Sequence, residues 1–180
     1  MGFGVALFNR KLRRGVWIMI GQIVSDIRAA AMAEGIDPEL YQAICTVESS
    51  LIPSAVRFEY KYKWHFKPEE WAKRYHFSID TERAFQSFSY SLPQIMGAVM
   101  REYGFAGNFQ ELLKPDADHR VALQYGAKHL KRFLMRHKKM DEAIAAYNAG
   151  SPRYRSDGKF ENQGYVDKVN AQLKTIRAKV

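Results

Sequence analysis

Glu48 is the residue whose type and spacing most invite chemistry. It follows Tyr41 by seven positions, Ile44 by four and Cys45 by three, so on a helix it stands over mostly apolar neighbours. A carboxyl held against such a face resists ionisation, because burial disfavours the charged form. A glutamic acid kept protonated near neutral pH can act as a general acid. Spacing alone does not settle the matter, and by itself favours a helix-end Glu turned outward to water.

The elements that must position Glu48 are legible on either side of it. Asp37-Pro38-Glu39 reads as a helix start: a capping Asp, Pro at the first helical position and an acid in the first turn. Leu40, Ile44 and Val47 then share one stripe of an amphipathic helix. Upstream, Ile20, Ile23, Val24, Ile27 and Ala31 recur at helical spacing and predict a first core helix ending at Gly35. Downstream, Pro53 marks an extended or looping segment. Arg57 to Phe66 alternates charged and aromatic residues, as a short strand, a hairpin or an aromatic loop would. Such interleaving suits stacking on sugar rings and equally on nucleobases.

The rest of the periodic pattern is helical. Pro68-Glu69-Glu70-Trp71 opens a helix. Ser91 can cap another, with Pro93 in its first turn, Gln94 at its start facing a cleft, and a stripe from Ile95 and Met96 to Tyr103. Pro115-Asp116 starts the next, which closes on the basic run Arg136-His137-Lys138-Lys139. Asp141 to Ala149 reads as an Asp-capped helix stopped by Gly150 and Pro152. Residues 151–164 are polar loop, and Tyr165 begins a final helix. The expectation is one mainly α domain over residues 19–180. Residues 1–18 read as a loose basic tail, with Met19 as an alternative start.

Composition bounds the function classes. The chain has 180 residues, 47% of them hydrophobic and 26% charged, the make-up of an ordinary globular domain. No run of about 18 apolar residues suggests a membrane span. The net charge of +9 suits a polyanionic partner: nucleic acid, an anionic membrane face or a bacterial wall. The single Cys45 excludes an internal disulfide and lacks the clustering of a zinc site. Residues 16–24 resemble the apolar core of a secretory signal, but Gly21 and Gln22 interrupt them and Asp26 follows, so a helix is the preferred reading.

Four segments occur in order: Glu48-Ser49-Ser50, Ser89-Tyr90-Ser91-Leu92-Pro93-Gln94-Ile95-Met96, Ala146-Tyr147-Asn148-Ala149-Gly150 and Tyr165-Val166-Asp167-Lys168-Val169. Together they resemble the soluble lytic transglycosylase (SLT) domain, a relative of goose-type lysozymes. Gly126-Ala127-Lys128-His129-Leu130 fits the family's Gly-Ala-x-x-Leu segment. The resemblance covers residues 30–180 and implies a mainly α, lysozyme-like fold, with a short β-hairpin or aromatic loop after the catalytic Glu.

It further implies a catalytic Glu48 that cuts the β-1,4 bond between N-acetylmuramic acid and N-acetylglucosamine in peptidoglycan. Gln94 and Met96 would line sugar subsites, with Ser91 in the same substrate-binding turn. Tyr147 would hold the Glu48 carboxyl, Asn148 would bond the glycan or brace the turn, and Tyr165 would lie close to Glu48. The family's turn glycine is replaced by Ser91, so the backbone there is expected to avoid φ > 0. Arg57 stands where the family often has a polar Ser, a departure that looks more like phage-borne members. It also makes Glu59, or less well Asp80, a candidate second carboxylate for a hydrolytic muramidase. A non-catalytic binder of wall glycan or nucleic acid through Phe58 to Phe66 is the rival from another class. The expected enzyme works on the bacterial wall as a monomer, without metal, cofactor or specific nucleic acid, by an export route that is not legible.

Overall fold

Asp37 fixes the beginning of the helix that carries Glu48. Its carboxylate accepts the N–H groups of Glu39 and Leu40, and Pro38 takes the first helical position. The computed structural model describes residues 3–179, with side chains from Ile18 onward. Helices α1 (Phe3–Glu34) and α2 (Pro38–Ser49) precede β1 (Val56–Phe58), α3 (Pro68–Tyr75) and α4 (Ile79–Gln86). Then come β2 (Phe88–Tyr90), β3 (Ile95–Met96), α5 (Gly97–Glu102) and α6 (Phe109–Leu112). Helices α7 (His119–Arg136), α8 (Met140–Ala149) and α9 (Gln163–Arg177) complete the chain. The fold is mainly α. Among the described residues no helix is long and apolar enough to cross a membrane.

Among the described residues two apolar cores form, and α7 serves both. The larger joins α1, α2, α7, α8 and α9 through Ile27, Ile44, Leu130, Ile144 and Val166, all fully buried. Each such side chain contributes about 1.5–3 kcal/mol by leaving water. Gly126 lets α7 approach: a Cβ there would stand 2.5 Å from the Tyr41 hydroxyl and 2.6 Å from Pro93 Cβ. Tyr41 Oη donates to Leu123 O at 2.7 Å, locking α2 to the same helix.

The smaller core gathers Tyr90, Ile95, Met100, Phe105, Phe109 and Ala122. Beside it lies an ion pair sealed from water. Arg101 Nε donates to Glu82 Oε1 at 2.9 Å, and both side chains are wholly buried. Arg101 Nη1 also donates to the carbonyls of Phe105 and Gly107. The guanidinium lies between the rings of Trp71 and Phe109, each 4.2 Å away. Every polar arm of the pair is thereby used, which is what a buried pair requires.

The sheet is small and antiparallel, in the order β1-β2-β3. Val56 pairs with Tyr90 and Phe58 with Phe88, while Ser89 pairs with Met96. A strand thus follows the Glu48 helix, but its partner is β2, about thirty residues on, and not a local hairpin arm. Glu59 to Lys67 forms the aromatic loop.

Several expected boundaries move. Ser91 does not cap a helix: residues 91–94 form a tight turn from β2 to β3, and the helix begins only at Gly97. Nor does Ser91 avoid the left-handed region, for it has φ 59° and Gln94 has φ 47°. The strain of a non-glycine residue there is offset by anchoring. Ser91 N–H donates to Ala55 O, and its hydroxyl to Pro53 O at 2.8 Å. The helix expected at Pro115 starts at His119, where the Asp118 carboxylate accepts the Arg120 N–H. Helix α8 has Lys139 at its cap position with no side-chain cap bond, so Asp141 is an acid in its first turn and not its cap. Gly35 and Gly150 end α1 and α8 as expected. The backbone of α1 already runs through residues 3–18, so no break marks residue 18. The side chains of the expected basic tail before Ile18 lie outside the described residues.

Candidate active site

Helix α2 ends one residue beyond Glu48, and that ending shapes the site. Ser50 and Leu51 both take left-handed backbone (φ 53° and 59°), with the Ser50 N–H bonded to Thr46 O. The chain therefore turns away and leaves Glu48 facing an open cleft of about 670 Å³. Cys45, fully buried, lies one turn behind it.

The cleft has three sides. Glu48 and the Gly150 end of α8, continuing to Arg153, form one. The loop from Arg57 through Tyr60 and Lys61 to Trp64 forms another, with the Tyr60 and Trp64 rings largely exposed. Met96, Val99, His129 and Tyr147 make the floor. Exposed rings beside a polar, open groove suit stacking on flat sugar faces.

Burial pushes the Glu48 carboxyl above its ordinary range. Opposing that, the Tyr165 hydroxyl donates to Glu48 Oε1 at 2.7 Å and the Arg57 charge favours ionisation. The nearby Glu59 charge pushes the carboxyl upward again. The two oxygens of Glu48 are thus unequal. Oε1 is held by Tyr165, and Oε2 is the one left to carry a proton. Tyr165 stays a neutral donor, because burial and the adjacent carboxylate raise its own pKa far above the usual phenol value.

Tyr147 does something other than hold this carboxyl. Its hydroxyl donates to Pro93 O at 2.9 Å and so ties α8 to the turn at residues 91–94. The ring is buried beneath Glu48 and lines the cleft floor. The role expected of Tyr147 therefore falls to Tyr165, reached from the first turn of α9.

Gln94 lines the cleft, yet its amide is largely used inside the protein. Nε2 donates to Ser91 O at 2.8 Å and Ala55 O at 3.1 Å, and Oε1 accepts from Ser89 Oγ at 2.9 Å. These bonds assign the amide orientation and make Gln94 the brace of its own turn. Met96 and Asn148 also line the cleft. Asn148 Oδ1 accepts from Asn162 Nδ2 at 3.0 Å, which braces the approach to α9. Ser91 does not line the cleft: it is buried, and its hydroxyl is spent on Pro53 O.

Of the two other carboxylates considered, Glu59 lines the cleft and is ion-paired with Arg57. Asp80 stands 92% exposed on α4, beside Arg83 and away from the cleft lining. Among the described residues no cluster of three or more His, Cys, Asp or Glu could hold a metal ion. Burial also keeps the Cys45 thiol protonated, its pKa raised by desolvation and by Glu48.

His129 lines the cleft, a role that sequence reasoning did not give it. It stands at one of the unspecified positions of the Gly-Ala-x-x-Leu segment, between Lys128 and Leu130. Its position on the floor depends on the close approach of α7 that Gly126 permits, and only that packing reveals it.

Taken together, the site can deliver one proton from a half-buried carboxyl to a ligand lying along an aromatic-walled groove. A family model described as Transglycosylase SLT domain matches residues 25–169, from within α1 into α9. No curated protein and no solved structure matches the chain.

Proposed function

The chain belongs to the transglycosylase SLT domain family, and from that premise we propose that it is a peptidoglycan lytic transglycosylase with Glu48 as its catalytic residue. The observation that carries the reading is the Glu48 carboxyl itself. It is raised by burial, held on one oxygen by Tyr165 and open to the cleft on the other.

The proposed chemistry needs only that carboxyl. Glu48 gives its proton to the oxygen linking N-acetylmuramic acid to N-acetylglucosamine, and the bond from the muramic anomeric carbon to that oxygen breaks. The carboxylate so formed keeps its bond from Tyr165. It then accepts the proton of the muramic C6 hydroxyl as O6 closes on the anomeric carbon, giving a 1,6-anhydro end and restoring the acid. The nucleophile is already tethered, so no second carboxylate has to place a water. Glycosidases that add water normally use a pair of carboxyl groups. The pairing of Glu59 with Arg57 supports the single-carboxylate route, since a carboxylate oxygen committed to a guanidinium is not free to place a water.

The place of action we infer is the bacterial cell wall, whose carboxylates and phosphates suit a chain of net charge +9. Release of soluble fragments from purified peptidoglycan tests the proposal. Wild-type protein should solubilise the wall, and Glu48→Gln should be slower by at least about 10²-fold. Equal release by both proteins would refute it.

A further inference from the structure

Helix α7 carries a second patterned face, turned away from the larger core. Lys128, Lys131, Arg132, Met135 and Arg136 recur at helical spacing, so they share one side of the helix. Ala127, Leu130 and Phe133 are buried on the other. With Glu34 at the end of α1 and Tyr103 after α5, the basic side lines an open groove of about 500 Å³. From Lys128 to Arg136 the stripe runs about 12 Å, enough to meet successive charges of an extended chain.

Carboxylates hold the middle of the stripe and leave its ends free. Lys131 Nζ lies 3.2 Å from Glu34 Oε2, and Arg132 Nη1 lies 2.9 Å from Glu102 Oε1. Lys128 and Arg136 are exposed and, among the described residues, pair with no carboxylate. Four cations against two carboxylates leave an excess of two positive charges. The helix dipole accounts for a cation in the last turn, where Arg136 stands, but not for Lys128 about two turns earlier.

The groove backs onto the cleft. The Tyr103 hydroxyl, on the groove side, lies 3.2 Å from Nδ1 of His129, which lines the cleft. One side-chain contact thus separates the two concavities, and a chain held in the groove leaves the cleft unfilled. The lining also narrows the kind of anion. Among the described residues that form it, Tyr103 is the one ring, and it is half-buried against His129. Single-stranded nucleic acid would want exposed rings for stacking. Met135, 79% exposed, is the one apolar side chain offered to solvent there. A lipid surface would want a whole apolar helix face.

We propose that the α7 groove docks a base-free phosphodiester polymer, a chain of the poly(glycerol phosphate) type, with Lys128 and Arg136 taking its phosphates. A flexible chain can follow the concave stripe, and each phosphate neutralised releases counterions and makes the affinity salt-sensitive. The surface lies outside the cleft, and the inference stands apart from the catalytic reading.

Calorimetric titration of the full chain with synthetic oligo(glycerol phosphate) tests it, with oligothymidylate of equal charge and phosphatidylglycerol vesicles run in parallel. Lys128→Gln combined with Arg136→Gln should weaken polymer binding about tenfold at low salt. It should also flatten the slope of log affinity against log salt by about 1.4, two phosphate contacts at about 0.7 each. Either substitution alone should give part of both effects. Lys168→Gln with Lys174→Gln, the same change of charge at exposed positions of α9, should weaken binding less than about twofold. Equal losses in the two double variants, or no polymer binding by the wild type, overturn the site. Tighter binding of the oligothymidylate or the vesicles than of the polymer overturns the choice of partner and with it the proposal. Failure of the wild type to solubilise peptidoglycan would strike the catalytic reading and leave this comparison intact.

Discussion

The Tyr165 hydroxyl donates to Glu48 Oε1 at 2.7 Å, joining residues 117 positions apart in the chain. This bond links the first turn of α9 to the last turn of α2, and it favours the charged carboxyl that burial disfavours. In the proposed mechanism Glu48 loses and regains a proton within one turnover, and it needs both influences. Removing the hydroxyl should unbalance them. Tyr165→Phe is expected to lower kcat roughly 10- to 100-fold, the worth of a hydrogen bond to a charged group. It should also move the alkaline limb of the pH–rate profile upward, because Glu48 then holds its proton to higher pH. A pH profile of both proteins on purified peptidoglycan checks this; an alkaline limb that stays put would count against the bond's assigned role.

Tyr147 should behave differently, although it lies under the same carboxyl. Its hydroxyl satisfies Pro93 O in a buried turn. Tyr147→Phe orphans that carbonyl and should cost about 1–3 kcal/mol of stability, or roughly 2–12 °C in Tm for a domain of this size. The pH limbs should stay where they are. Thermal melts and pH profiles of the two Tyr→Phe variants, taken side by side, separate a positioning tyrosine from a proton-balancing one.

Glu48 should also be legible in the stability of the fold. Its pKa in the folded protein lies above the ordinary 4.5, so between those two values the folded state binds more protons than the unfolded state. Stability then falls as pH rises through that window. Glu48→Gln keeps an oxygen for Tyr165 and removes the charge. It should therefore raise Tm at pH 7, with the gain shrinking toward zero below about pH 4.5 as wild-type Glu48 becomes protonated in both states. A variant less stable than wild type at pH 7 would mean that the carboxyl is comfortable in its charged form.

How far the sequence led depended on how local each feature is. The cap at Asp37, the stripe of Leu40 and Ile44, and the stops at Gly35 and Gly150 all act within a few residues, and each is where spacing put it. The SLT resemblance rests on short ordered segments of the same kind. Ser91 misled because its left-handed backbone is set by Pro53 and Ala55, nearly forty residues earlier. Tyr165 lies close to Glu48 as the resemblance implies, but it also makes the bond expected of Tyr147, for a related reason: which hydroxyl reaches the carboxyl depends on how α8 and α9 dock on α2. His129 and the Arg101–Glu82 pair belong to the same category, being charged or titratable residues whose meaning comes only from burial.

That buried pair gives a prediction remote from the cleft. Glu82→Gln leaves the Arg101 guanidinium without its counter-charge between Trp71 and Phe109. Breaking one partner of such a pair costs about 3–5 kcal/mol, which corresponds to a fall in Tm of roughly 6–20 °C. Differential scanning calorimetry would measure it. A loss below about 1 kcal/mol would show that the charge of Glu82 is not needed there.

The most direct test of the central claim is the chemical identity of the products. Mass spectrometry of purified peptidoglycan digested by the wild-type protein, Glu59→Gln and Glu48→Gln would supply it. A single-carboxylate transglycosylase predicts 1,6-anhydromuramyl ends from the wild type and from Glu59→Gln, and almost none from Glu48→Gln. Reducing muramic acid ends, lost when Glu59 is changed, would contradict it and make the protein a two-carboxylate muramidase.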